Sequence, residues 1–242
     1  IFFKGYSHGL NNKVGYYDID SSGINVVLFS GGRGSGSLSN GLREYARKNN
    51  INIKVIHITN AYDDGKSTGE IRKFYGSNIL GPSDVRKIQS NQFDFFFKDS
   101  DIKEFLSVRL DGVKEEILKE LKVISEEKRP ATDYVYSNFL KLPFVLKKEI
   151  LKALRHFFTK SYENISLEDF AFSNLIYGSL ADLYGGLQHS EKIIRKALNL
   201  PDPVILNSVE NGYLFALTED GHLLHDEASI VDYAGISPIY EV

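Results

Sequence analysis

Four glycines fall within six positions in the stretch "FSGGRGSGSL", which runs from Phe29 to Leu38. A plain turn needs one or two. Glycine reaches positive φ freely and has no side chain to hold a ligand away. A helix that follows at once offers unpaired N–H groups and the positive end of its dipole, and together these make an anion site. Gly31, Gly32, Gly34 and Gly36 would supply the cradle, with Arg33, Ser35 and Ser37 as added donors. The competing account is a glycine-rich turn that only packs strand on helix; the surplus of glycines favours phosphate. Two familiar loops fail here. A dinucleotide G-x-G-x-x-G begun at Gly32 needs glycine at Ser37, and a P-loop begun at Gly31 needs lysine at that same Ser37.

A second stretch, "TNAYDDGKSTGEIR", closes on Arg72. Asp63 and Asp64 form a hard oxygen pair suited to Mg²⁺, which takes one or two carboxylates plus phosphate oxygens and water. Asp64 could instead serve as a general base. Adjacent aspartates are also ordinary turn residues, and Ser67 and Thr68 are ordinary helix caps. A third stretch, "LGPSDVRK", has the same double reading. Ser83 or Asp84 could cap the helix that follows, or Asp84 and Arg86 could face the pocket of Asp63 and Asp64, with Arg86 gripping phosphate or carboxylate in bidentate fashion.

These stretches need elements to hold them. Residues 25–30 read as a buried strand, 37–49 as a helix with Leu38, Leu42, Tyr45 and Ala46 on one face, and 51–59 as a second strand. Strand, glycine turn, helix, strand is a βαβ unit with parallel pairing. The aspartate loop then lies at the strands' carboxyl ends, the usual binding edge. Short helices are expected over 70–75 and from Asp84. From 93 to 165, Glu and Lys alternate with Leu, Ile and Phe at helical spacing, which reads as a helical insertion with solvated charged faces and with Phe95, Phe96, Phe97, Phe157 and Phe158 in its core. Helices are expected over 167–183 and 188–198, strands over 204–208 and 213–218, and a hairpin turn at "EDG", 219–221. His57 alternates with Ile56 and Ile58, so a structural role facing the sheet is favoured. His222 and His225 are read as incidental residues of a surface hairpin.

The totals bound the class. The chain has 242 residues, 42% of them hydrophobic and 25% charged, with net charge −3. That is an ordinary globular composition, with no global pull toward nucleic acid or an anionic membrane. Cysteine is absent, which removes disulfides, thiolate metal sites and thiol nucleophiles and fits a reducing compartment. No apolar run approaches a membrane span. Methionine is absent too, even at position 1, so a fragment or a processed form is expected.

Taken in order, "FSGGRGSGSL", "NAYDDGKSTGEIR" and "LGPSDVRK" resemble the CofD/YvcK-like family, which pairs a GGGTG-type loop with DDGGSSGxLR-type and PPGDIRN-type segments. "FSNLIYGSL" is similar to the family's GNLxLAG helix and puts Asn174 at its asparagine; "LFALTEDG" is similar to a late strand and hairpin. The likeness is close over residues 25–92 and loose over 167–231. It implies an α/β fold, a Rossmann-like parallel core over 1–92 and 166–242, with the helical insertion at 93–165 between them. In the CofD branch it implies Mg²⁺-dependent transfer of a phospholactyl-type group from a guanylylated donor. In the YvcK branch it implies a UDP-sugar or dinucleotide binder tied to carbon metabolism and cell-envelope growth. The second and third segments are nearer the YvcK branch. Arg33, Ser173 and Lys87 depart from the pattern, and the family's later GPGS-type loop has no counterpart before Val242, so either a chain truncated at its C-terminus or a pocket built differently is expected.

The expectation is therefore a cytoplasmic protein that binds a nucleotide diphosphate and acts as a transferase on a phosphorylated metabolite. The rival is a non-catalytic sensor of a UDP-sugar or dinucleotide. Asp64 and Asp84 would be catalytic, and Asp63 and Asp64 would hold Mg²⁺. The glycine loop, Ser67, Thr68, Arg72, Ser83, Arg86 and Asn174 would bind the nucleotide. No nucleic-acid or membrane partner is expected; a homodimer stays open.

Overall fold

The computed structural model describes residues 23–30, 34–63, 65–76, 79–98, 100–210, 212, 215–225, 229–230, 232–235 and 237–241. Its first unit is strand β1 (Ile24–Ser30), helix α1 (Gly34–Lys48) and strand β2 (Ile53–Thr59). β1 and β2 run parallel, in register from Ile24 opposite Ile53 to Ser30 opposite Thr59. A later strand, β5 (Val204–Leu206), joins β2 in parallel, so β2 is the centre of the order β1-β2-β5. This is the expected α/β core.

β1 is not buried as its composition suggests. Its residues alternate, and Phe29 remains 82% exposed while Ser30 is buried. The face carrying Leu28 and Ser30 is shared with His57 of β2, which meets Arg43 of α1. Val27 and Phe29 point to the other face, which lies open at this outer strand.

α1 differs from expectation in start and in rotation. It begins at Gly34, and its buried stripe is Gly36, Ser39, Arg43 and Ala46, while Leu38 and Tyr45 are exposed. The rotation follows from a buried ion pair: Arg43 Nη2 lies 2.6 Å from Asp202 Oδ2, and turning Leu38 inward would take Arg43 away from that partner.

Helices α2 (Lys66–Tyr75) and α3 (Ser83–Phe97) follow, each beginning earlier than expected. α3 runs unbroken through 92 and 93. Phe96 and Phe97 at its end are exposed rather than core, and the Arg43 guanidinium lies 5.3 Å from the Phe96 ring centre. Next come α4 (Ser100–Ser107), the two-residue strand β3 (Arg109–Leu110), α5 (Lys114–Ser125), α6 (Tyr136–Lys141) and α7 (Phe144–Phe157). β3 pairs antiparallel with β4 (Phe170–Ala171). Residues 167–171 are thus not helical: Asp169 has φ 44°, a left-handed conformation that ends any helix there, and Phe170 and Ala171 are strand-paired.

Helix α8 (Phe172–Tyr184) is the centre of the molecule, with every residue from Phe172 to Ala181 buried. Its buried polar residues are hydrogen-bonded, Ser173 to the Leu106 carbonyl and Ser179 to Tyr75, so the helix can sit inside. α9 (Leu187–Ala197) leads back to β5. One continuous core takes in Ile71, Val85, Phe105, Leu121, Leu154, Phe157, Leu175 and Val204, so the helices of 93–165 share it with the residues around the sheet. A small sheet of order β7-β6-β8 closes the described chain, from β6 (Ala216–Thr218), β7 (Leu223–Leu224) and β8 (Ile239–Glu241). The turn between β6 and β7 holds Gly221 at φ 86°, as the "EDG" hairpin requires. Among the described residues no helix is long and apolar enough to cross a membrane.

Candidate functional site

The three parallel strands end at one level, since Ser30 lies opposite Thr59 and Thr59 opposite Leu206. The strand ends Ser30, Thr59 and Leu206 therefore lie side by side at one edge of the sheet, about 4.8 Å apart from strand to strand. Gly31, Gly32 and Arg33 lie outside the described residues, as does Asp64. Gly34, Ser35, Gly36 and Ser37 form the first turn of α1, where N–H groups have no partner within the helix. Gly36 has a second duty. A Cβ there would come within 2.4 Å of the Asn91 side chain on α3, so its bareness lets two helices approach. Packing thus accounts for one of the four glycines.

The second and third motifs are fastened together. Gly81 N–H donates to the Ala61 carbonyl at 2.8 Å, and a Cβ on Gly81 would stand 2.3 Å from the Asp63 carbonyl oxygen. Ser67 and Thr68 do not cap α2, because the helix starts before them and Gly65 occupies the cap position. Both are buried, as is Ser83, and Thr68 Oγ1 lies 2.5 Å from Ser83 Oγ. Asn174, in the first turn of α8, is fully buried, and its Nδ2 lies 3.0 Å from Ser67 Oγ, 3.3 Å from Thr68 Oγ1 and 3.1 Å from Ser83 Oγ. One amide so joins the starts of α2, α3 and α8. Its Oδ1 is buried without a hydrogen-bond partner among the described residues.

Lys66 opens α2 at φ 47°, a left-handed value that favours glycine, at the place where the DDGGSSG pattern has its second glycine. Its ammonium is 2.9 Å from Asp169. Strain of this kind collects at binding loops.

The charged residues sort into two groups. Asp63 and Asp84 are half-buried. Asp63 Oδ1 accepts the Gly65 N–H at 3.0 Å, and Asp84 Oδ1 is 3.1 Å from Lys87 Nζ. The arginines turn inward. Arg72 is 2% exposed and donates to the carbonyls of Tyr62 (2.9 Å) and Gly212 (2.7 Å), clamping the aspartate loop to the chain beyond β5. Arg86 is buried and donates to the Leu106 carbonyl at 2.8 Å, which also accepts from Ser173 Oγ at 2.8 Å. Burial, then Arg109, lower the Arg86 pKa, while Tyr177, Asp63 and Asp84 act in the opposite sense. Asp63 and Asp84 thus share the field of one guanidinium, although they belong to different motifs.

Between β1, β2 and α1 lies a network that the motifs did not announce. Ser30, the last residue of β1, sits 2.8 Å from His57 Nδ1, and His57 Nε2 lies 3.4 Å from Arg43 Nη2. Arg43 holds Asp202, which also accepts the Val55 N–H at 3.2 Å. Burial, then Arg43, push His57 down to about 4, so the ring is neutral and structural. A lone charge between two prolines ahead of an apolar run, "PDPVIL", was the only signal for Asp202. His222, exposed beside Asp220, keeps its incidental role.

A family model described as "2-phospho-L-lactate transferase CofD" matches residues 26–241. A protein of Aquifex aeolicus (strain VF5) named "Putative gluconeogenesis factor" is 26% identical over 210 residues, 87% of this chain and 46% of that protein. A crystal structure of a UPF0052-family protein from Bacillus halodurans superposes with TM-score 0.50 at 21% identity, covering 90% of this chain and 49% of that one. A second crystal structure of the Bacillus halodurans protein gives TM-score 0.47 at 22% identity, covering 86% and 47%. The chain spans about half the length of the relatives it matches, and the structural likeness speaks for the fold alone.

Proposed function

The chain belongs to the CofD family, and on that premise we propose that the carboxyl edge of its parallel sheet binds a nucleotide through its diphosphate and supports Mg²⁺-dependent transfer to or from a phosphorylated metabolite. The observation that carries this reading is the Ser67–Thr68–Ser83–Asn174 cluster. It fixes two helix starts against each other beside Asp63 and Asp84, at the edge where all three strands end.

In this reading the amides of 31–37 cradle phosphate. Ser67, Thr68 and Ser83 hold the helix starts, and Asn174 aims an unpaired Oδ1 among them. Asp64 and Asp84 take the general-base role. The donor chemistry suits Mg²⁺, which takes one or two carboxylates plus phosphate oxygens and water, and Asp63 and Asp84 are half-buried carboxylates. Asp63, with Asp64, would hold the ion, which when bound would neutralise diphosphate charge. Arg86 adds positive field from below, and Arg72 holds the loop in shape. The reading carries a cytoplasmic location.

One observation favours a second reading, a non-catalytic binder of a UDP-sugar or dinucleotide that regulates carbon metabolism and cell-envelope growth. Both motif arginines donate to backbone carbonyls, which commits N–H donors that a transferred group would otherwise meet. The name of the Aquifex relative, a gluconeogenesis factor, points the same way as regards carbon metabolism.

A thermal-shift panel of nucleotides and nucleotide sugars, with and without Mg²⁺, tests both. A ligand at a hundred times its Kd stabilises by about 2.7 kcal/mol, a rise of roughly 5–11 °C for a chain of this size. Mg²⁺-dependent release of a nucleoside mono- or diphosphate, lost in Asp64→Asn and Asp84→Asn, supports the transferase. Binding that persists without Mg²⁺ and without turnover supports the regulator. A flat response to every nucleotide removes both.

A further inference from the structure

α7 presents two stripes. Leu146, Ile150, Leu154 and Phe157 enter the core. Phe144, Lys147, Lys148, Leu151, Lys152 and Arg155 follow the i, i+3, i+4 spacing along the other side and line a groove of about 380 Å³ shared with α6 and the end of α5. Its floor is apolar: Ile124, Phe139 and Leu151 are buried beneath it, while Leu140 and Phe144 stand exposed at the lip, Phe144 by 74%. Its rim is basic. Arg155, Lys128 and Lys152 are each paired with one glutamate, Glu127, Glu126 and Glu149 respectively. Lys147 rests on the Leu140 carbonyl at 2.6 Å, and Lys148 lies 5.5 Å from the Phe144 ring centre. Among the described residues neither has a carboxylate within ion-pair distance, so five cations face three carboxylates.

We propose that this groove docks an amphipathic helix of a partner protein, with large apolar side chains at i, i+3 or i+4 and i+7 over the floor and Asp or Glu on its flanks. The argument is length and charge. From Phe144 to Arg155 the groove runs about 16 Å along α7, three turns, which leaves room for the roughly 10.5 Å, two turns, from i to i+7 and for flanking charges beyond. The cations are spread along that whole length. A lipid would need them gathered at one end, around its headgroup. A second copy of the chain would set one basic rim against another, which a symmetric contact makes repulsive. An acidic flank meets the two unpaired lysines and displaces weak surface pairs at little cost. The proposal does not depend on the nucleotide reading.

The test uses the full chain and two labelled 18-residue helical peptides with the same Leu and Phe anchors, one flanked by Glu and the other by Lys, read by fluorescence anisotropy. The Glu peptide is expected to bind at least tenfold more tightly than the Lys peptide, and more weakly as salt rises. Phe144→Ser should weaken it at least tenfold. Lys147→Glu with Lys148→Glu should reverse the preference. These side chains lie at the surface, and an unchanged melting temperature checks the fold. Equal binding of both peptides, no binding of either, or binding indifferent to the charge reversal overturns the proposal. So does binding to phosphatidylglycerol vesicles in place of peptide, or a dimer seen by sedimentation that Phe144→Ser dissolves.

Discussion

Gly81→Ala should separate the second and third motifs. The added Cβ would sit 2.3 Å from the Asp63 carbonyl oxygen, 2.7 Å from Thr68 Cγ2 and 3.2 Å from the Ala61 carbonyl oxygen. The first two contacts are each about 1 Å too close for van der Waals spheres. Neither neighbour swings away freely: one is backbone, and the Thr68 hydroxyl is held by Ser83 and Asn174, so rotating its methyl aside breaks those contacts. The loops must part, which strains the Gly81–Ala61 hydrogen bond of 2.8 Å and the Thr68–Ser83 contact. Overpacking of a dense interior costs about 1–3 kcal/mol and a lost hydrogen bond about 1 kcal/mol. A loss near 3 kcal/mol follows, or a melting temperature lower by roughly 6–12 °C. Gly41→Ala is the matched control. Gly41 lies in mid-helix on α1 with nothing within 4 Å of its Cβ position, so alanine there should stabilise by about 0.5–1 kcal/mol. Urea unfolding of both variants, with the nucleotide thermal shift repeated on Gly81→Ala, reads the effects. Opposite signs are expected, together with a smaller nucleotide shift in Gly81→Ala. A Gly81→Ala protein as stable as the parent would refute the fastening of the two loops.

Other variants probe the charges. Asp202→Ala leaves Arg43 buried without its carboxylate and should cost about 3–5 kcal/mol in urea unfolding, whereas Arg43→Met with Asp202→Asn, which keeps an acceptor for Val55 N–H, should cost less than half of that. His57 is held near 4 in the fold against about 6.5 when unfolded, so between those values the unfolded chain binds more protons. Stability should be full above pH 6.5 and fall by roughly 3 kcal/mol as pH drops toward 4. An acid limb equally steep in His57→Gln would assign the loss elsewhere. Arg86→Met removes a buried charge while Ser173 keeps the Leu106 carbonyl satisfied, so stability should change by less than about 1.5 kcal/mol. Nucleotide affinity should nonetheless fall about tenfold as the field at Asp63 and Asp84 is lost; an unchanged affinity would remove Arg86 from the site.

The βαβ unit was legible because its signals are local. "INVVLFS" and "IKVIHIT" are β-branched runs, and the hairpin glycine sits where its turn needs positive φ. What escaped is fixed by partners far along the chain. The face that α1 buries is set by Asp202, 159 residues from Arg43, and outweighs the apolar stripe of Leu38 and Tyr45. Phe170 and Ala171 have helix-compatible neighbours, yet they pair with Arg109 and Leu110 sixty residues earlier. The motif residues were visible as types and spacings. Their directions were not, because an arginine that grips phosphate and one that grips a carbonyl look the same in a sequence.

That distinction bears on how such a site can work. Arg72 and Arg86 are buried where desolvation disfavours a charge, and each meets carbonyl oxygens in compensation. Their positive field still reaches the loops they support, but their side chains cannot follow a moving group. The Asn174 cluster is equally fixed, with three hydroxyls and two helix starts held by one fully buried amide. Under the proposed function, such a rim would meet a diphosphate with groups already in place, and little ordering would be required on binding. Whatever chemistry follows must come from what lies nearer solvent at the edge, Asp63, Asp84 and the first turn of α1, with the arginines acting on it through shape and field.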